Sequence, residues 1–214
     1  MTTNRNGDVA ARPDLRDRAV VQGRRSFAEL LADRDGRLHE PHLAGQVQAI
    51  VEVLVRTFRN GGKVLWCGNG GSAADAQHLA AEFSGRFLRE RKALPSEALS
   101  TNTSAVTAIG NDFGYEHVFA RMVEAMARPG DAVVGITTSG TSPNVVNALT
   151  TAKALGATTI AFTGNGGGTV AKIADLSLVG PSGYSAIVQE VHITMGHIIC
   201  DLVEQRIIFG EVQS

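Results

Sequence analysis

Apolar positions along this chain change period repeatedly. Over 41–58, Leu43, Val47, Ile50, Val51, Leu54 and Val55 recur at helical spacing, and Asn60-Gly61-Gly62 closes the run. Short continuous apolar runs of strand type follow at 63–67, 97–100, 132–136, 158–162 and 176–179. Between them the helical period returns: after 67 as far as 86, then over 116–127, 144–155 and 186–209, with a helical or irregular stretch at 103–111 and an early helix at 26–31. Alternation of this kind predicts a mostly parallel sheet covered by helices on both faces. The reading is one α/β domain over 24–214 with extra amino-terminal helices, behind a polar, fraying segment at 1–23. No linker breaks the pattern and no solenoid repeat underlies it.

Two junctions between strand and helix carry candidate chemistry. The first is Cys67-Gly68-Asn69-Gly70-Gly71-Ser72, fed by Val64-Leu65-Trp66 and followed by Ala76, Leu79, Ala80 and Phe83 at helical spacing. Glycines there let the backbone close on a ligand, and a helix N-terminus offers N–H groups to an anion. The spacing fits neither the dinucleotide nor the P-loop pattern. On the outgoing helix His78 and Glu82 are four residues apart and share a face. The second junction, Thr137-Thr138-Ser139-Gly140-Thr141-Ser142-Pro143, sets five hydroxyls just ahead of a proline suited to a helix's first turn. Hydroxyls with backbone N–H groups can hold a phosphate without a metal. Two such loops at the carboxyl ends of two strands point to a phosphorylated small molecule. The glycine run at 164–168 has no hydroxyl cluster and reads as a structural turn.

Composition narrows the class. With 43% hydrophobic and 19% charged residues and a net charge of −1, the 214-residue chain suits a single enzyme-like domain and argues against nucleic acid as a partner. Arg86, Arg89, Arg91 and Lys92 form the densest basic cluster, read as a solvated helix end or a local anion-facing edge. The two cysteines, Cys67 and Cys200, fall in apolar runs and read as buried reduced thiols. No signal-like segment opens the chain and no apolar run approaches membrane-spanning length, so the expectation is a cytoplasmic protein without a membrane partner.

The last helix raises a metal question. Gln189 and His197 are eight residues apart, about 80° around a helix, and can face one pocket. His192 points away from His197 and reads as a packing residue. Were this helix to meet the one carrying His78 and Glu82, the nitrogen and oxygen donors of the two would suit a divalent ion such as zinc. Spacing alone leaves that meeting open.

The segments CGNGGSAADAQHLAAEFSGRF at 67–87, TAIGNDFGYEHVFARMVEA at 107–125, GDAVVGITTSGTSPNVV at 130–146 and VQEVHITMGH at 188–197 resemble the phosphoheptose isomerase family of the sugar isomerase (SIS) domain superfamily. The resemblance runs from about Pro41 to Phe209. It implies a five-stranded parallel SIS sheet flanked by helices, a homotetramer with active sites between subunits, and one zinc per subunit. It implies a phosphate loop at Thr137, Thr138, Ser139 and Ser142, and sugar contacts at Asn69, Gly70, Gly71 and Ser72, with Thr101, Asn102 and Gln189 nearby. It implies Glu82 and His197 as the acid/base pair and His78, Glu82, Gln189 and His197 as zinc ligands.

Two departures bear on substrate preference rather than reaction type. Thr101-Asn102 stands where many members have Ser-Asp or Thr-Asp, and Ala186-Ile187-Val188-Gln189 where Asp-Arg-Ile-Gln is common. The implied activity is conversion of sedoheptulose 7-phosphate to D-glycero-D-manno-heptose 7-phosphate. The alternatives are a non-catalytic adaptor resembling SIS proteins that bind the replication initiator DnaA, and an isomerase for another phosphosugar. The presence of both Glu82 and His197 favours the enzyme.

Overall fold

Strands β1 (Val64–Gly68), β2 (Ser96–Ala98), β3 (Ala132–Thr137), β4 (Thr158–Thr163) and β5 (Leu176–Val179) form one sheet, parallel throughout, in the order β2-β1-β3-β4-β5. The computed structural model describes residues 26–181 and 183–210, so the expected fraying segment 1–23 lies outside the described residues. The helices are α1 (Phe27–Leu38), α2 (Pro41–Arg59), α3 (Gly71–Ser84), α4 (Thr103–Phe113), α5 (Val118–Met126), α6 (Pro143–Ala154), α7 (Val170–Ile173) and α8 (Ser185–Phe209). The expected helix at 116–127 opens instead as a 3-10 turn, Tyr115–His117, before α5.

Alternation along the strands builds two cores, one on each face of the sheet. Val64 and Trp66 of β1, with Val134, Ile136, Ile160 and Phe162, pack under α2, α3 and α8. Leu65 and Cys67, with Val133 and Ala161, pack under α5 and α6. Burial on both faces explains why the strands read as unbroken apolar runs. Trp66 anchors the first core, stacked on Phe83 at 6.2 Å between ring centres and edge-on to Phe162 at 6.1 Å. Its indole N–H donates to Ser96 Oγ at 2.9 Å, so the polar end of the ring is satisfied. Both cysteines are buried free thiols, and burial pushes Cys67 up to about 12.

Helices α3 and α8 lie against each other because Gly196 has no side chain. A Cβ there would come within 2.7 Å of both Leu79 methyls. Among the described residues α8 is the one helix long and apolar enough, by length and composition, to cross a membrane, in contrast to the expectation from the sequence. Half of that stretch, 50%, is buried inside the fold.

The basic cluster after α3 is not a solvated edge at its centre. Arg91 keeps 3% of its side chain exposed and pairs with the fully buried Glu204 of α8 at 3.1 Å.

Candidate active site

The chain leaves β1 towards β2 on one side and continues from β3 towards β4 and β5 on the other. This makes the carboxyl ends of β1 and β3 the point where the winding reverses, the usual ligand crevice of an open parallel sheet. Gly68 pairs in register with Ile136, so the glycine loop after β1 and the hydroxyl loop after β3 open side by side. Asn69 and Asn144 tie them together, each amide nitrogen donating to the other's oxygen at 2.9 and 2.8 Å, and Tyr115 donates to Asn69 Oδ1 at 3.2 Å.

The hydroxyl loop is pre-formed. Thr137 is buried with its hydroxyl 2.8 Å from Ser142 Oγ and 3.3 Å from Ser139 Oγ, and Thr141 N–H donates to Ser139 Oγ at 3.3 Å. Gly140 sits at φ +71°, and a Cβ would lie 2.4 Å from the Gly167 carbonyl. The glycine run at 164–168 is thus a buttress seated on this loop. Its Asn165 amide also donates to the Thr138 carbonyl at 3.2 Å. Thr138 in turn donates to Ser185 Oγ at the start of α8 at 3.2 Å, which links the loop to the last helix.

From there the groove between α3 and α8 runs to a cluster. Gln189 lies over Gly71, where a Cβ would come within 2.5 Å of its amide nitrogen. Two turns further on, His197 Nε2 stands 2.9 Å from His78 Nε2, and His78 Nε2 stands 3.2 Å from a Glu82 carboxylate oxygen. One ligand atom from each of the three lies within 4.8 Å of the others, a nitrogen-and-oxygen set that fits a divalent ion and leaves coordination positions open. Burial first, then the neighbouring His78, lowers the His197 pKa, while Glu82 opposes the shift. His78 thus stands between the Glu82 carboxylate and the His197 ring, and a carboxylate and an imidazole placed this close are the usual pair for general acid–base work.

The other expected positions divide. Gly70 and Ser139 are exposed, and Thr138, Ser142, Asn69 and Gln189 are partly so. Ser72 is buried at 3% exposure and faces the interior. The Thr101 hydroxyl donates to Glu97 and to the Ala98 carbonyl, both at 2.8 Å. Asn102 caps α4, accepting from Ala105 N–H at 3.0 Å, a task an aspartate would perform equally. Ile187 at the second departure is buried at 6%. His192 is a packing residue as expected, fully buried with Nε2 at 3.0 Å from the Thr163 carbonyl.

Three neighbours escaped the sequence reading. Asn144 and Tyr115 meet Asn69 across 75 and 46 residues, which no local pattern signals. Asp75 shares the α3 face of His78 and Glu82, a periodicity that could have marked it. One of its oxygens is buried with no hydrogen-bond partner, and burial raises its pKa.

The SIS domain family profile matches residues 37–164. A phosphoheptose isomerase of Roseiflexus sp. is 57% identical over 168 residues, covering 78% of this chain and 85% of that protein. The solved phosphoheptose isomerase GmhA of Neisseria gonorrhoeae superposes with a TM-score of 0.78 at 42% identity, covering 83% of this chain and 96% of the other. The enzyme from Francisella tularensis gives a TM-score of 0.79 at 34% identity, covering 84% and 95%. With this fold, these two loops and this degree of identity, the chain belongs to the phosphoheptose isomerase family of SIS-domain proteins.

Proposed function

We propose that this chain is an aldose–ketose isomerase that converts sedoheptulose 7-phosphate to D-glycero-D-manno-heptose 7-phosphate for heptose biosynthesis. The observation that carries the reading is the convergence of His78, Glu82 and His197 from two helices beside a pre-formed hydroxyl loop. Thr138, Ser139 and Ser142, with Thr137 behind them, hold the phosphate, and that remote grip orients C1 and C2 of the open-chain ketose. Asn69 and the backbone of Gly70 and Gly71 line the sugar. Glu82 removes a proton from C1, so the C1–H electron pair forms the double bond of a cis-enediol as the C2 oxygen gains a proton. A proton returned to C2, with loss of the O1 proton, completes the aldose, and His197 handles the oxygen protons. The adaptor reading has no use for this acid/base convergence.

We assign His78, Glu82 and His197 as holders of a zinc ion, with Gln189 on the same groove as the fourth donor. When bound, zinc would supply Lewis acidity at the carbonyl and enediol oxygens. A homotetramer with sites completed between subunits, working in the cytoplasm, is part of the same reading. Membership of the family supports this reading as a whole, and the partly exposed His78 and Glu82 leave room for a neighbouring subunit at the site.

Incubation with sedoheptulose 7-phosphate and supplied zinc, followed by NMR, tests the reaction. Accumulation of the aldose 7-phosphate is expected. No product under these conditions would overturn the assignment and favour the adaptor.

A further inference from the structure

One carboxylate reaches both members of the proposed acid/base pair without touching the site. Glu204 of α8 is fully buried and accepts three backbone N–H bonds from the segment after α3: Phe87 at 3.1 Å, Leu88 at 2.9 Å and Arg89 at 2.9 Å. Arg89 reaches it at 3.5 Å, and its closer partner Arg91 donates Nε to it at 3.1 Å and turns most of its guanidinium to the end of α3, with one further bond from Nη1 to the Lys92 carbonyl at 3.2 Å. Nη2 donates to the Glu82 carbonyl at 2.7 Å, and Nη1 to the Phe83 carbonyl at 2.9 Å and the Gly85 carbonyl at 3.2 Å. The Glu82 and Phe83 carbonyls have no further turn of helix to bond, and the arginine, joined at Phe83 by the Leu94 N–H at 3.0 Å, takes its place. Meanwhile the Phe87 ring, held through its own N–H by Glu204, stacks on the His197 imidazole at 5.6 Å between centres and 28° between planes.

A plain stabilising role would need no such aim. The exposed pair of Arg86 with Glu90 lies within one segment, whereas Arg91 and Glu204 join that segment to α8. A buried ion pair is also a poor source of net stability, because desolvation cancels most of its attraction. What this pair does have is a fixed geometry. The planar fork of arginine bonds several acceptors at set angles, which an ammonium cannot do.

We propose that Arg91 and Glu204 are positioning residues for catalysis, a clasp that sets the register of Glu82 on α3 against His197 on α8. The inference rests on the assignment of Glu82 and His197 as the acid/base pair. A displacement of about 1 Å between reacting groups can cost on the order of a hundredfold in rate. The clasp lies remote from the hydroxyl loop, so its loss should leave phosphate binding unchanged.

The test is steady-state kinetics with sedoheptulose 7-phosphate on Arg91→Lys and Glu204→Gln, alongside wild type and Glu82→Gln, with thermal melting of each. Arg91→Lys keeps the charge beside Glu204 and so keeps the fold, but one ammonium cannot span Glu204 and four carbonyls. Folded Arg91→Lys with kcat lowered about ten- to a hundredfold and KM within twofold supports the clasp. Glu204→Gln should move the same way; if it does not fold, Arg91→Lys decides. Wild-type kcat in folded Arg91→Lys, a parallel rise in KM, or failure of Arg91→Lys to fold would overturn the proposal. If Glu82→Gln turns over normally, the acid/base assignment fails instead, and the two failures are thereby told apart.

Discussion

The hydroxyl loop after β3 and the groove between α3 and α8 are built on opposite plans. In the loop, the proposed binding groups come from six consecutive residues, of which Thr137, Ser139, Thr141 and Ser142 already bond one another, and a glycine at φ +71° seats them on a second loop. In the groove, the reactive groups come from helices 119 residues apart at the His78–His197 contact, and they meet only because Gly196 lets α8 close on Leu79. A local loop suffices to hold a phosphate, which presents the same oxygens throughout the reaction. Proton transfer needs groups on two rigid elements whose separation the whole fold sets. In the proposed mechanism the loop therefore supplies ground-state binding and the groove supplies rate.

The largest effect should come from breaking the groove. Glu82→Gln or His197→Gln is expected to lower kcat on the order of 10²–10⁴-fold, and the double variant no further than the worse single, because the two act as a unit. Steady-state assays of the three variants check this, and additive losses would separate their roles. Next in size, Ser139→Ala with Ser142→Ala should raise KM about ten- to a hundredfold, the worth of hydrogen bonds to a charged group, with a smaller loss in kcat. A kcat collapse at unchanged KM would place chemistry in the loop.

Gly71→Ala sharpens the boundary between the regions. The new methyl meets the end of a flexible side chain, Gln189, within 2.5 Å, so the fold survives while that amide is pushed aside. A loss of activity of about tenfold at an unchanged melting temperature is expected; full activity would remove Gln189 from the site.

Legibility in the sequence followed the same division. The strands of both cores were readable because burial on both faces leaves unbroken apolar runs bounded by glycine turns. The loop was readable because its groups are consecutive. Helix α1 shows an apolar period over only 26–31 because none of its residues is buried; a Ser26–Glu29 capping box and the Arg34–Glu190 pair to α8 hold it instead. In the groove, spacing supplied His78 with Glu82 and the pairing of Gln189 with His197 on one side of a helix. Their meeting depends on how two helices dock on the sheet, which no local period encodes. Arg91 read as a surface charge because its partner Glu204 lies 113 residues away.

The smallest effect at neutral pH concerns His192, five residues before His197 and on the other side of α8. Burial, only partly offset by the bond to the Thr163 carbonyl, lowers its pKa to about 4. The folded protein therefore binds fewer protons than the unfolded chain between the ordinary value of 6.5 and about 4. Its contribution to stability is complete above that window and is lost as pH falls through it, by about 3 kcal/mol in total. Urea unfolding of wild type and His192→Gln at pH 7 and 4.5 checks this, since the variant should lose that part of the pH dependence. Identical pH dependence in both would refute it.

The most direct test of the division between binding and chemistry is calorimetric titration of sedoheptulose 7-phosphate into Glu82→Gln. Binding within a fewfold of wild type is expected, in a protein whose turnover of the sugar is lost. Loss of binding together with turnover would make Glu82 a binding or structural residue and contradict the assignment of rate to the α3–α8 groove.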